Sequence, residues 1–264
     1  MPDTPKEGIP QLGPVSGEVL REALRRGWRD LKRAPSFALV FAGVYVILGW
    51  VMVWVTRATG QSYWLIFAAV GFPLIAPFAA VGFYDVSRRL EQGRQLDWGE
   101  IMGVILRQSR RQLPSISAII IFIFLFWFFI AHMIFALFLG LSTMTNVSSS
   151  WDVFLTGEGI TMLVVGSIVG AGFATLLFMI TVISLPLLLD REVDYVTAMI
   201  TSFAYVRDHP VPMFGWAIFI AVLTLISLLP GFLGLFVTLP LFGHATWHLY
   251  DLLAYGAGRG TDRD

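Results

Sequence analysis

Six runs of apolar residues, at 37–55, 63–83, 116–141, 160–189, 213–229 and 232–248, constrain this chain more than anything else in it. Crossing a hydrocarbon core takes about 20 helical residues, and each run is near or above that length. Lipid offers a backbone amide no water to bond, so a spanning segment closes its own hydrogen bonds as a helix. The expected fold is therefore all-α, a polytopic membrane protein with six transmembrane helices. Composition enters as a check: 14% of the 264 residues are charged and 56% are hydrophobic, whereas a soluble domain carries about a quarter charged residues.

Residues 1–36 are polar and basic and lack the short apolar core of a signal peptide, so the start of the chain is expected to stay in the cytoplasm. With that choice the N-terminal tail, the second-to-third and fourth-to-fifth connections and the C-terminal tail hold seventeen of the 18 Lys and Arg residues, and the outer loops hold Arg57 alone. Cytoplasmic loops retain positive charge, which puts both termini on the cytoplasmic side of a multi-pass protein. The chain then divides into a cytoplasmic tail with an amphipathic helix (1–36), a six-span domain (37–250) and a C-terminal cytoplasmic tail (251–264).

Each cytoplasmic connection reads as an amphipathic helix in the interface plane. The clearest follows Asp97, where Asp97 and Glu100 have the spacing of a capping box and Trp98, Ile101, Met102, Ile105 and Leu106 recur on one side. A second places Leu20, Leu24, Gly27, Trp28 and Leu31 on one stripe. A third runs from Asp190, with Val193, Val196, Ile200 and Phe203 on its apolar side. All three end at a proline, Pro35, Pro114 or Pro210, and each precedes an outgoing and a returning span. Three copies of surface helix, proline and helical hairpin are expected.

Within the spans, Gly166, Gly170 and Ala174 form a small-residue stripe that admits close helix packing. Pro73, Pro77, Pro186 and Pro240 are expected to kink returning helices, either as packing devices or at a transport site. His132 lies deep in a Phe-rich span and needs a polar partner, which marks it as a partner-contact candidate or as a neutral histidine hydrogen-bonded to a backbone carbonyl or hydroxyl within the bundle. His244, His248 and Asp251 share one face of the last span, with Asp85 at comparable depth. They are weak metal candidates, and interfacial residues without metal are the alternative. Arg88, Arg89, Arg107, Arg110 and Arg111 are candidates for lipid headgroups. The chain has no cysteine, which removes disulfides and thiolate sites. A formal net charge of zero gives no reason to expect a nucleic-acid partner. No protease or hydrolase motif is present, and no cofactor or catalytic residue is expected.

Three segments carry a resemblance: Ser-Leu-Pro-Leu-Leu-Leu-Asp-Arg over 184–191, Leu-Pro-Leu-Phe-Gly-His-Ala-Thr-Trp-His-Leu-Tyr over 239–250, and Pro-Phe-Ala-Ala-Val-Gly-Phe-Tyr-Asp-Val-Ser-Arg-Arg over 77–89 with Glu91 and Gly93. Together they resemble the bacterial predicted integral-membrane family called domain of unknown function 2189, over Gly27 to Tyr250. The resemblance implies a six-span protein of the bacterial inner membrane. Members have been labelled cytochrome c oxidase subunit I, but a haem–copper site needs about six histidine ligands on several spans, and this chain has 4 histidines. What the resemblance leaves is association with a respiratory complex. The leading expectation is a non-catalytic accessory or scaffold subunit packed against other membrane proteins in the lipid bilayer. The alternatives are a small-molecule, lipid or ion transporter and a metal- or haem-binding membrane protein.

Overall fold

The computed structural model describes residues 6–60, 65–140 and 151–256. Its helices are α1 (Gly17–Arg33), α2 (Pro35–Thr59), α3 (Leu65–Glu91), α4 (Trp98–Gln108), α5 (Leu113–Leu139), α6 (Gly157–Thr181), α7 (Ser184–Asp190), α8 (Tyr195–Asp208), α9 (Pro210–Leu228) and α10 (Leu235–Tyr255). Side chains of Ser16, Asp97, Thr156 and Asp194 accept the first free amides of α1, α4, α6 and α8, as N-caps do. The three prolines expected to stop surface helices lie in the first turn of the next helix, where a missing N–H costs nothing. Ala34 alone separates α1 from α2, and His209 alone separates α8 from α9.

Among the described residues four helical segments are long and apolar enough to cross a membrane: Pro35–Thr59, Leu113–Leu139, Gly157–Asp190 and Pro210–Leu228. The expected span 63–83 becomes part of α3 and begins outside the described residues. The expected last span becomes α10, which does not reach that apolarity because it carries His244, His248 and Asp251. These side chains are all buried, among the thirteen buried residues of the helix's 21. The expected span 160–189 is two helices. Pro186 has no amide and its ring crowds the carbonyl four residues back, and the helix breaks at Val182 and Ile183. Ser202 of α8 fills the break, accepting from Ile183 N at 3.1 Å and donating to the Met179 carbonyl at 2.7 Å.

α3 and α10 lie at the centre. α10 packs against α1, α2, α3, α7 and α9, and α3 also packs against α2, α4, α5 and α7. At one end of the bundle, where the N-terminal segment lies, the core collects Val81, Tyr84, Ile116, Ile183, Leu187 and Trp247. The N-terminal segment straps this end. Lys6–Glu7 pairs in parallel with Arg191–Glu192, Gly13 N donates to the Leu253 carbonyl at 2.7 Å, and Tyr205 donates to the Gly13 carbonyl at 2.8 Å.

Two of the expected surface helices present different faces. α1 buries Ala23, Gly27 and Asp30 and leaves Trp28 exposed. Gly27 sets the contact with α10: a Cβ there would stand 2.8 Å from Ala245 N and 3.0 Å from the Leu241 carbonyl, so the two backbones meet with no room for a side chain. α8 starts at Tyr195, not Asp190, and buries Ala198, Ser202, Tyr205 and Val206. Its apolar residues Val196, Ile200 and Phe203 point outward.

Candidate functional site

The strongest concentration of buried polar chemistry lies where α1, α3 and α10 meet. Asp30, Ser87, His244 and His248 are each fully buried. His248 stands between two carboxylates, with Nε2 2.6 Å from Asp30 Oδ2 and Nδ1 3.0 Å from Glu91 Oε1. Ionised carboxylates accept and do not donate, so the imidazole donates from both nitrogens. Glu91 also accepts from Trp247 Nε1 at 3.1 Å and faces Arg26 at 3.6 Å. One turn before His248, His244 shares a 2.8 Å hydrogen bond with Ser87 through Nδ1 and meets the Phe83 ring edge-on at 5.3 Å. Burial pushes the Asp30 carboxyl up, but the His248 hydrogen bond and charge, with His244 and Ser87 beside it, hold it below the usual carboxylate range. On the rim, hydrogen bonds from Arg25 and Arg26 draw Glu22 down to about 2.

Two neighbouring clusters complete this end. Asp190, closing α7, accepts from Tyr250 at 2.8 Å and from Tyr255, while Arg191 Nε donates to Tyr255 Oη at 3.0 Å. Asp85 is fully buried and accepts from Arg89 Nε at 2.7 Å, and Arg89 also bonds Glu100. Glu100 is thereby drawn away from the reciprocal arm of a capping box, although Asp97 caps α4 as expected, accepting from Glu100 N at 2.9 Å.

Ser87 and His244 form a hydroxyl–imidazole pair, a combination acyl-transfer enzymes use. Here both groups are sealed inside the protein, and the adjacent carboxylate, Asp30, is bonded to His248. What the arrangement does chemically is join three helices by charge-assisted hydrogen bonds.

The four metal candidates do not gather in one place. His244 goes to Ser87, His248 to Asp30 and Glu91, and Asp85 to Arg89; Asp251 is buried further along α10. Among the described residues no three His, Asp or Glu side chains are arranged to hold a metal ion. His132 lies on the outer surface of α5, donating from Nδ1 to the Phe128 carbonyl at 2.8 Å. The small-residue stripe is divided: a Cβ on Gly170 would approach Trp127 Nε1 at 3.0 Å, Gly166 has nothing within 4 Å, and Ala174 is exposed. Of the headgroup candidates, Arg89 is buried on Asp85, Arg88 lies 3.6 Å from Asp85, and Arg111 pairs with Glu192. Arg107 and Arg110 are exposed, with no ion pair among the described residues.

Sequence reasoning missed Asp30, an acidic residue in a basic helix. The pattern was available, because Asp30 follows Ala23 and Gly27 at helical spacing on the buried side. Three uninterrupted buried runs, 81–87, 182–189 and 247–253, fall within or beside the three segments that carried the resemblance. Residues 64–190 match the family domain of unknown function 2189, a predicted integral membrane protein. No curated protein and no solved structure gives a match. The domain of unknown function 2189 match is narrower than the stretch over which the sequence resembles the family. It takes in Asp85, Ser87, Glu91 and Asp190 and stops short of α10, so the imidazoles and Asp30 complete the network from outside it.

Proposed function

We propose that the chain is a non-catalytic accessory or scaffold subunit of the bacterial inner membrane, with six spans in three helical hairpins and both termini cytoplasmic, packed against another membrane protein. His132 carries this reading. It is a polar ring on the outer surface of an apolar helix, costly against acyl chains and readily accommodated by another protein. Other features support it. The polar residues of the resembling segments are consumed by internal hydrogen bonds, which leaves them structural work. Packing of α2 on α3, α5 on α6 and α9 on α10 supports the hairpins, and seventeen of 18 cations on one side support the orientation. Gly166 and Ala174 offer a second helix a close approach, with Arg107 and Arg110 at the headgroups and α1, α4 and α8 as cytoplasmic helices. No cofactor and no nucleic acid belong to this reading, and a respiratory oxidase is the partner the resemblance implies.

A photo-crosslinking residue at position 132 tests it in native membranes, followed by mild extraction and mass spectrometry. A discrete adduct with one other membrane protein is the expected result. Adducts with lipid alone, together with a monomer that carries a bound small molecule, would replace the scaffold by a transporter, for which Pro73, Pro77 and Pro240 inside α3 and α10 would supply the kinks.

A further inference from the structure

By turning Ala23, Gly27 and Asp30 onto α10, α1 fixes which of its residues face away. Arg21, Arg25, Trp28 and Lys32 follow one another at three- and four-residue spacing on the opposite side, and all four are exposed. Trp28 is 45% exposed, and Lys32 Nζ lies 6.0 Å from the centre of its ring, so indole and ammonium present one surface. Arg25 is held by Glu22 in two hydrogen bonds of 2.7 Å, which leaves Arg21 and Lys32 as the cations on either side of the indole.

An open indole between cations suits the membrane interface, where aromatic rings settle at headgroup depth and cations meet phosphate. Chain connectivity puts the face at that depth. Ala34 alone joins α1 to α2, a helix long and apolar enough to cross a membrane. Leu39, the first large apolar side chain α2 exposes, follows Lys32 within about 10 Å of helical rise. We propose that the Arg21–Trp28–Lys32 face of α1 binds the headgroups of anionic phospholipids. It keeps Trp28 of the expected stripe at the interface, whereas Gly27 of that stripe is turned onto α10.

The absence of cysteine makes a clean test possible: a nitroxide on Arg25→Cys reports this face alone in the full chain. The protein is reconstituted into phosphatidylcholine vesicles with and without phosphatidylglycerol, and collisions of the label with a water-soluble nickel complex are measured. Phosphatidylglycerol is expected to shield the label. Adding Arg21→Glu and Lys32→Glu is expected to raise the phosphatidylglycerol needed for shielding by about 25-fold, at about five-fold for each cation near an anionic surface. Both residues are exposed, so unchanged thermal unfolding of the variant shows that the fold survives. A label equally open in both vesicles overturns the proposal. So does one equally shielded in both, which assigns the face to a protein contact, and so does shielding by inorganic phosphate in phosphatidylcholine alone, which assigns it to a free anion.

Discussion

Along residues 247–253 of α10 every side chain is buried, and polar ones among them are matched: His248 with Asp30 and Glu91, Tyr250 with Asp190. Along α5, by contrast, Phe122, Phe129 and Leu137 face outward, and only 11% of its most apolar stretch is enclosed by the rest of the protein. The difference shows how the two regions obtain stability. α5 needs no internal partner, because acyl chains are as good a surrounding for Phe and Leu as protein is. The α1–α3–α10 junction has no such substitute, since a buried carboxylate or imidazole is stable only with its particular donor or acceptor. Single substitutions should therefore be expensive at the junction and cheap on α5 and α6.

The hardest test of that contrast is His248→Ala, which strands the Asp30 and Glu91 carboxylates without their shared donor. Removing one partner of a buried charged pair costs about 3–5 kcal/mol. Thermal unfolding in mild detergent should show a large loss, against within about 0.5 kcal/mol for Phe129→Ala on the outer face. Equal losses for the two variants would erase the distinction between the regions.

Next in size is Gly27→Ala. The added Cβ meets the Ala245 amide nitrogen and the Leu241 carbonyl, both backbone atoms that cannot swing aside. Overpacking of this kind costs about 1–3 kcal/mol and pushes α1 off α10. Protease cutting near Ala34, between α1 and α2, is the sensitive readout, and it should rise in Gly27→Ala while cleavage elsewhere stays the same. No change there would mean that α1 is held by the His248 pair and not by backbone contact.

The all-helical class and the apolar helices were legible in the sequence because hydrophobic run length is a local property, set by the 1.5 Å rise of a helix against the thickness of a bilayer. Asp97 as a cap and the three prolines at helix boundaries were local too. The junction was not. His248 meets Asp30 across 218 positions and Glu91 across 157, and nothing in either neighbourhood names the other. Reading His244, His248 and Asp251 as one helical face was sound geometry, but their partners come from other helices and divide them. For Gly166, Gly170 and Ala174, spacing says which residues share a face and not which helix, if any, lies against it.

Acid should sharpen the comparison from another direction. Asp30 is held below the usual carboxylate range, so its contribution to stability is present above the ordinary value of about 4 and is lost as pH falls through its lower folded value. The Asp30 share of the unfolding temperature should stay constant from neutral pH down to that region and then decline, so that the decline at acid pH is reduced in Asp30→Asn. Hydrogen exchange at low pH should open α1 and the end of α10 first and leave α5 protected. Simultaneous opening of both regions would place the acid-sensitive group outside the junction.

The smallest effect separates two glycines one helical turn apart on α6. Gly170→Leu sends its Cβ toward Trp127 Nε1, 3.0 Å away, but that atom belongs to a side chain that can rotate, so the cost should stay near about 1 kcal/mol, the low end for overpacking. Gly166→Leu meets nothing within 4 Å and replaces the residue least suited to a helix interior. In the isolated protein it should be neutral or stabilising by up to about 0.8 kcal/mol. In native membranes the order should reverse if a partner helix uses this face. Leu at 166 would then block the close approach and release the partner, while Gly170→Leu, whose face already belongs to α5, would leave it bound. Thermal unfolding of the purified variants, compared with co-purification of whatever protein crosslinks at position 132, separates the two contributions. Retention of the partner by Gly166→Leu would show that this face of α6 meets lipid and would confine the docking surface to the side of α5 that carries His132.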